Sequence, residues 1–158
     1  TGSTALHHAP FVHKIVATDI SSNMIEIARR KALEANITNV EFQCSALEDF
    51  KPVDASFDVV MAHSILHLLE DPEQAIKLSY RLLKPGGVFI TSTACLGDSF
   101  SHWRILLAVG KFFHKVPYVN VLKRDTLNRY LGDAGFEVAL KWNRKKQAAF
   151  IILKKPAD

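Results

Sequence analysis

A regular alternation of β-branched runs and amphipathic segments is the feature that most constrains how this chain can fold. The run at residues 12–18 ends at Asp19, and residues 23–36 then place apolar side chains at helical spacing. Later strand-like runs lie at Val40–Cys44, 57–62 and 88–93. Strands that alternate with helices in this way indicate an α/β fold with a mostly parallel sheet and helices on both faces.

A clear helix start follows the 57–62 run. Asp71 can cap a helix, Pro72 suits its first position, and Gln74 can close a capping box. We predict that this helix runs to Leu83 and stops at residues 84–87, Lys-Pro-Gly-Gly, where glycine can adopt a positive φ.

The last third of the chain carries much of its positive charge. Helices are predicted at 99–115 and 124–134, and strands at 136–141 and 147–153. The two strands have a short connection and should form an antiparallel hairpin. Much of the excess behind the net charge of +4 lies near this hairpin, at Lys141, Arg144, Lys145, Lys146, Lys154 and Lys155. Because the tract lacks interleaved aromatic residues, a solvated hairpin end explains it better than a nucleic-acid site.

Length and composition favour one globular domain over residues 1–158, with 48% hydrophobic and 23% charged residues. Cys44 and Cys95 both lie in apolar, strand-like stretches, so no disulfide framework is indicated and a cytoplasmic location is expected. No secretory signal is seen, and no run reaches the ~18 apolar residues of a membrane span. The chain starts at Thr1 rather than Met, which indicates a processed start or an internal piece.

Ligands of open α/β sheets bind at the carboxyl ends of the strands, so the residues after each strand are candidates for a site. Gly2 opens a helix, where the backbone can approach an anionic ligand, although a frayed terminus is the simpler alternative. Asp19 follows the first strand, where a carboxylate can accept hydrogen bonds from ribose or merely cap the next helix. The dinucleotide-binding fingerprint places an acid about 20 residues after its first glycine, which agrees if Gly2 ends a longer loop.

A second candidate loop follows the Val40–Cys44 strand. Backbone amides near Ala46 can contact the edge of an adenine, with Leu47 on one face of the ring and Ile20 on the other. A plain connection between a strand and a helix is the alternative.

A third candidate loop follows the 57–62 strand and contains Ala62, His63 and His67. The histidine spacing i, i+4 can suit a metal, but no glutamate completes a His-Glu-x-x-His pattern, so no metal site is predicted. His67 is the candidate general base, since an unperturbed imidazole titrates near neutral pH. A packed structural histidine is the alternative.

Together these segments resemble the class I S-adenosylmethionine-dependent methyltransferases. Residues 1–6, TGSTAL, are similar to the end of that family's glycine loop, and residues 15–21, IVATDIS, to its second strand and ribose-binding acid. The most specific stretch is RLLKPGG at 81–87, and Ala-Gly-Phe at 134–136 completes the order. The resemblance covers nearly the whole chain and is nearest to small-molecule enzymes such as those of ubiquinone and menaquinone biosynthesis.

The resemblance implies a Rossmann-like sheet of strand order 3-2-1-4-5-7-6 that lacks its first strand here, in an N-terminally truncated domain. It implies S-adenosylmethionine as the cofactor, with Asp19 on the ribose and with Ile20 and Leu47 around the adenine. The full set of expected cofactor-binding residues is Gly2, Asp19, Ile20, Ala46, Leu47, Ala62 and His63.

An aromatic-rich insert at about 97–122 is expected to form a helical lid over the active site. An apolar lid favours a small hydrophobic or aromatic acceptor. No nucleic-acid partner is expected, because no Asn-Pro-Pro-Tyr-like motif follows the 57–62 strand. The same aromatic residues can instead complete the core, or contact a membrane surface together with Arg104, Lys111 and Lys115. Two other functions stay open: a non-catalytic methyltransferase-like binding module, and a nicotinamide-dependent oxidoreductase.

Overall fold

The structure is a computed structural model, and it describes residues 1–47, 49–95, 97, 120–145 and 148–157. The expected lid at 97–122 and the helix at 99–115 lie almost entirely outside the described residues. The chain divides into an N-terminal unit, Thr1–Lys51, and a C-terminal unit, Pro52–Asp158. One methyltransferase domain over residues 1–158 stays a prediction.

The N-terminal unit is built on one pair of parallel strands. Its elements are α1 (Ser3–His8), a 3-10 turn (Ala9–Phe11), β1 (Ile15–Asp19), α2 (Ser22–Glu34) and β2 (Val40–Cys44). The pairing places Ile15 opposite Val40 and Asp19 opposite Cys44. The two strands therefore end side by side, and so do the loops that follow them.

Helix α2 supplies most of the core of this unit. Ile25, Ala28 and Ala32 lie on its buried face and pack with Phe42 of β2. The helix begins where the Ser21 side chain accepts a hydrogen bond from the backbone N–H of Met24, and Ser21 is one of the three candidate caps, Ser21, Ser22 and Asn23, that the sequence offers here. A residue with positive φ, Asn36, follows the helix.

Strand β1 begins later than predicted, at Ile15 instead of residue 12. The Asn39 side chain donates to the carbonyl oxygens of Ala9 and Val12, at 2.8 and 2.9 Å. Val12 is therefore bound by a side chain from the loop before β2 and not by a neighbouring strand.

The C-terminal unit contains a four-stranded mixed sheet. Its elements are β3 (Phe57–His63), a 3-10 turn (Leu66–Leu68), α3 (Pro72–Leu82), β4 (Leu83–Ala94), α4 (Arg124–Asp133), β5 (Glu137–Lys145) and β6 (Ala148–Lys154). The order is β3-β4-β6-β5, with β3 and β4 parallel and the other two pairs antiparallel. The predicted closing hairpin of β5 and β6 is confirmed.

The core of the C-terminal unit lies between β4, β6 and the helices. Helix α3 contacts β3, β4 and α4. Phe89, Ile151 and Leu153 are fully buried, and the ring of Phe136 stacks on that of Phe89 with their centroids 5.2 Å apart.

Helix α3 begins as predicted and ends differently. The Asp71 carboxylate accepts a hydrogen bond from the backbone N–H of Gln74 at 2.9 Å. The helix ends at Leu82, and Leu83 already pairs with Phe57 in the sheet. Because Lys84 precedes a proline, its helical conformation is disfavoured. Gly86 has the expected positive φ, 77°, but lies inside β4 and not at the end of the helix.

The fold class is confirmed as α/β. In the mixed four-stranded sheet β3, β4 and β5 run in the same direction, and of these described strands β6 runs antiparallel to its two neighbours, so the predicted mostly parallel arrangement with an antiparallel closing hairpin is confirmed. Among the described residues, β1 pairs with β2 alone and β3 with β4 alone. Helices on both faces of a single sheet stay a prediction. Both cysteines are thiols, with Cys44 exposed and Cys95 buried. The described part of the chain contains no helix that is long and apolar enough to span a bilayer.

Candidate functional site

The predicted site residues are divided between the two units. Gly2, Asp19, Ile20, Ala46 and Leu47 belong to the N-terminal unit, and the third loop, with its two histidines, belongs to the C-terminal unit.

The Asp19 carboxylate lies at the carboxyl end of β1, as predicted. Its Oδ1 accepts a hydrogen bond from the backbone N–H of Ser21 at 2.9 Å. The backbone carbonyl of Asp19 accepts a second one from the N–H of Ser45 at 3.1 Å, which joins the loops after β1 and β2. One carboxylate oxygen orders the start of α2, so helix capping and ligand binding are both compatible with this side chain.

The predicted adenine-binding residues surround the same strand ends. Ile20 is 77% exposed although it is a large apolar residue, and its carbonyl oxygen accepts a hydrogen bond from Cys44 Sγ at 3.6 Å. Ala46 and Leu47 are half-buried. The carbonyl oxygens of these two residues accept N–H groups from Asp49 and Phe50, which fold the loop back on itself. An exposed apolar side chain and a tight loop therefore follow the paired ends of β1 and β2, at Asp19 and Cys44.

Gly2 has a packing role that sequence reasoning missed. Its φ is 70°, in the left-handed region that favours glycine. A Cβ added here would lie 2.6 Å from Cβ of Ala28 and 3.1 Å from Cε1 of Phe42. Close packing against α2 and β2 thus explains a glycine at this position without a ligand, and its predicted approach to the cofactor stays a prediction.

Two histidines at the carboxyl end of β3 bind hydroxyl groups of β4. His63 Nδ1 lies 3.1 Å from Ser92 Oγ, and this pair is exposed. His67 Nδ1 lies 3.1 Å from Thr93 Oγ1, and this pair is partly buried. Ala62 precedes them, and its carbonyl oxygen accepts the hydroxyl of Thr91 at 3.2 Å. The structure therefore brings these three predicted residues to one end of the β3–β4 pair.

The loop that carries the histidines is fixed at several points. Ser64 has a φ of 54°, which is uncommon for a residue with a side chain, and its N–H donates to the Ser92 carbonyl at 2.7 Å. Asn120 holds the other end of the loop. Its backbone N–H donates to the His67 carbonyl at 2.8 Å, and its Nδ2 to the Leu69 carbonyl at 3.4 Å.

Burial lowers the pKa of His67 below its ordinary value of 6.5, because desolvation disfavours the charged imidazolium. The neutral ring is the form that can accept a proton. Among the residues that the structure describes, no group of three His, Cys, Asp or Glu side chains could hold a metal ion.

Sequence reasoning missed Ser92, Thr93 and Asn120. The pattern predicts the strand at 88–93 and shows its Thr-Ser-Thr segment, but it does not fix which β4 residue faces which histidine. Parallel pairing sets that register, with His63 opposite Ser92.

The model of the methyltransferase domain family matches residues 1–91. The ubiquinone biosynthesis O-methyltransferase of Idiomarina loihiensis is 35% identical over 109 residues, which cover 67% of this chain and 42% of that protein. The tRNA 5-carboxymethoxyuridine methyltransferase of Escherichia coli is 28% identical over 89 residues, which cover 55% of this chain and 34% of that protein. A solved structure of geranyl diphosphate methyltransferase in complex with S-adenosylmethionine superposes with a TM-score of 0.78 at 14% identity, covering 97% of this chain and 73% of that one.

The chain therefore belongs to the methyltransferase domain family. The predicted resemblance to class I S-adenosylmethionine-dependent methyltransferases is confirmed, and so is their fold. The chain spans less than half the length of the two curated relatives described above.

Proposed function

We propose that this chain binds S-adenosylmethionine and takes part in methyl transfer to a small acceptor. The observation that carries the proposal is the Asp19 carboxylate at the carboxyl end of β1, in a chain whose residues 1–91 match the methyltransferase domain family. A carboxylate offers about four lone-pair sites, and the Ser21 N–H accounts for one of them. Capacity is left for the hydroxyl groups of a ribose.

The other N-terminal residues also fit this cofactor. Ile20 presents an exposed apolar side chain beside Asp19, and Leu47 is the apolar residue of the facing loop. In the proposed arrangement these two side chains hold the adenine, and the Ala46 backbone contacts its edge. When bound, S-adenosylmethionine supplies an electrophilic methyl group on a sulfonium ion.

Residues of the C-terminal unit are proposed to deprotonate the acceptor and to border the methionine part of the cofactor. His67 is neutral at physiological pH because burial lowers its pKa, so it can take a proton from an acceptor that must lose one. Ala62 and His63 are proposed to border the methionine part of the cofactor. Positioning of the acceptor against the methyl group accounts for the rest of the rate enhancement.

A small apolar acceptor is favoured over RNA. The Idiomarina relative is an enzyme of ubiquinone biosynthesis, whereas the Escherichia coli relative acts on tRNA. In this chain, two lysines of the basic tract contact protein groups: Lys141 binds the Asn128 side chain, and Lys155 binds backbone carbonyls. The aromatic residues expected in the lid, and the three basic residues considered for membrane contact, lie outside the described residues.

Isothermal titration calorimetry with S-adenosylmethionine tests the proposal. We expect Asp19→Ala to weaken binding by about 10- to 100-fold, the equivalent of one or two hydrogen bonds to a charged group. Asp19→Asn separates two roles, because its amide oxygen can still accept the Ser21 N–H while the negative charge is lost. It should keep the local fold and still bind the cofactor less tightly.

The exposed Asp125 in the C-terminal unit provides a control, since Asp125→Ala should bind the cofactor as the unchanged chain does. Equal affinity in the Asp19→Ala and unchanged chains would contradict the role of Asp19. A parallel titration with NADH tests the oxidoreductase alternative, which requires that NADH binds in preference to S-adenosylmethionine. Cofactor binding without methyl transfer to a panel of quinols and phenols would favour the binding module.

A further inference from the structure

Thr93 is a buried hydroxyl residue whose side chain meets a candidate catalytic group. It lies near the end of β4, is only 4% exposed, and its Oγ1 is 3.1 Å from Nδ1 of His67. Buried polar side chains need hydrogen-bond partners. Because His67 belongs to the loop after the neighbouring strand, the hydroxyl of Thr93 links β4 to that loop.

Protein contacts fix the backbone around His67. Leu66 is 1% exposed, and the N–H of Asn120 donates to the carbonyl of His67. Since the backbone is held on one side by a buried neighbour and on the other by Asn120, the remaining freedom is mainly that of the imidazole ring. The hydrogen bond to Thr93 restricts this last freedom.

We propose that Thr93 is a positioning residue, whose hydroxyl accepts the Nδ1–H of His67 and leaves the lone pair on Nε2. A threonine hydroxyl can donate or accept, and a neutral imidazole carries one proton. In the proposed arrangement this hydroxyl accepts, which leaves the basic lone pair on Nε2, the nitrogen that Thr93 does not bind. This inference rests on the proposed function, because Nε2 has a catalytic use only if an acceptor is deprotonated there.

The proton balance of the step is simple. The acceptor's O–H or N–H bond breaks, and its proton goes to Nε2, which makes His67 an imidazolium. The electron pair left on the acceptor atom forms the new bond to the methyl carbon, and the pair of the broken carbon–sulfur bond stays on sulfur. His67 then returns the proton on Nε2 to solvent. The proton on Nδ1 stays on His67 throughout and remains hydrogen-bonded to the Thr93 hydroxyl.

The pair of His63 and Ser92 provides an internal comparison. It has the same chemistry and the same 3.1 Å separation, but it is exposed. Water can compete for an exposed hydrogen bond, so this pair should select a tautomer less strongly than the partly buried pair of His67 and Thr93. Ser92→Ala is therefore the matched control for removal of a histidine-bound hydroxyl.

Nitrogen-15 NMR of labelled histidine tests the proposal without any substrate. Spectra are recorded at about pH 8, above the ordinary histidine pKa of about 6.5, and the His67 signals are assigned with His67→Gln. We expect the Nδ1–H tautomer to predominate in the unchanged chain and in Thr93→Ser. In Thr93→Val, which keeps the side-chain shape and loses the hydroxyl, the Nε2–H tautomer should gain population. Ser92→Ala should leave the His67 signals unchanged.

Two results would overturn the proposal: a predominant Nε2–H tautomer of His67 in the unchanged chain, or an unaltered tautomer in a folded Thr93→Val variant. The first result is measured on the unchanged chain, so the proposal can still be contradicted if Thr93→Val fails to fold. Calorimetry with S-adenosylmethionine separates this inference from the proposed function. If the unchanged chain does not bind the cofactor, the proposed function is contradicted. The His67 tautomer would still show whether Thr93 accepts the Nδ1–H hydrogen bond.

Discussion

At the scale of single residues, His67 links the candidate site to the stability of the chain. Burial lowers its pKa below 6.5 in the folded chain, so the unfolded chain binds a proton at this position more readily. Stability therefore rises with pH between the lowered pKa and 6.5. The contribution is complete above that window and is lost as the pH falls through it.

We predict that His67→Gln makes the stability of the chain less dependent on pH. Urea unfolding at about pH 5 and about pH 7.5, on either side of the ordinary histidine pKa, measures the difference in the free energy of unfolding for each chain. The difference should be smaller in His67→Gln than in the unchanged chain. His13→Gln, which changes an exposed histidine, serves as the control. If the free energy of unfolding changes between the two pH values by the same reduced amount in His13→Gln as in His67→Gln, the prediction for His67 is contradicted.

Single residues also show where sequence patterns succeed. The positions of Asp19 and His67 can be predicted because parallel strands end at a common edge of the sheet, so polar residues at or shortly after a strand end are informative; the roles of both residues stay predictions. Thr93 and Asn120 cannot be found in this way, because their partners depend on strand register and on a loop distant in sequence. The pattern indicates Gly2 for approach to a ligand, whereas the structure provides a packing reason in Ala28 and Phe42.

At the scale of elements, Lys155 joins the segment after β6 to the end of α3. Its Nζ donates to the carbonyl oxygens of Tyr80 and Leu83, at 3.0 and 2.8 Å, and lies 4.6 Å from the centroid of the Tyr80 ring. The terminal carbonyls of a helix lack partners within the helix, and a cation satisfies them well. The prediction that this lysine belongs to a solvated hairpin end is wrong.

We predict that Lys155→Met lowers the free energy of unfolding by about 1.5–3 kcal/mol, the range for hydrogen bonds to a charged group. Methionine keeps much of the apolar stem and removes the ammonium group. Chemical denaturation followed by circular dichroism provides the measurement. The exposed neighbour Lys154 is the control, and equal effects of Lys154→Met and Lys155→Met would argue against the carbonyl contacts.

Element boundaries are predictable where a side chain sets them. Ser21 and Asp71 begin their helices by accepting backbone N–H groups. Residue type predicts the cap at Asp71, whereas at α2 it offers three candidates, Ser21, Ser22 and Asn23. The end of α3 is not predictable in the same way. Leu83 leaves the helix to pair with Phe57, and that partner lies on another strand.

At the scale of the whole molecule, the buried apolar side chains are unevenly shared between the two units. Most of the described ones belong to the C-terminal unit, whereas the N-terminal unit relies on a small cluster around Ile25, Ala28 and Phe42. Local stability follows the amount of buried apolar contact. The N-terminal unit should therefore open more readily.

We predict that amide hydrogens of β2 exchange faster than those of β4 and β6. Addition of S-adenosylmethionine should slow exchange in the N-terminal unit. At a free cofactor concentration of about 100 times the dissociation constant, the free energy of opening should rise by up to about 2.7 kcal/mol. Hydrogen exchange followed by mass spectrometry measures both effects. Protection by the cofactor in Asp19→Ala equal to that in the unchanged chain would speak against binding through Asp19.

The strand order β3-β4-β6-β5 also has a consequence for biosynthesis. Strand β6 is the last of the described strands to leave the ribosome, yet it lies between β4 and β5. Until Ala148–Lys154 has been made, one long edge of β4 has no partner, and its apolar face lacks Ile151 and Leu153. Non-local strand pairing of this kind is slow and leaves aggregation-prone intermediates. We therefore expect the nascent C-terminal unit to expose an unpaired strand edge and apolar surface until β6 has been made.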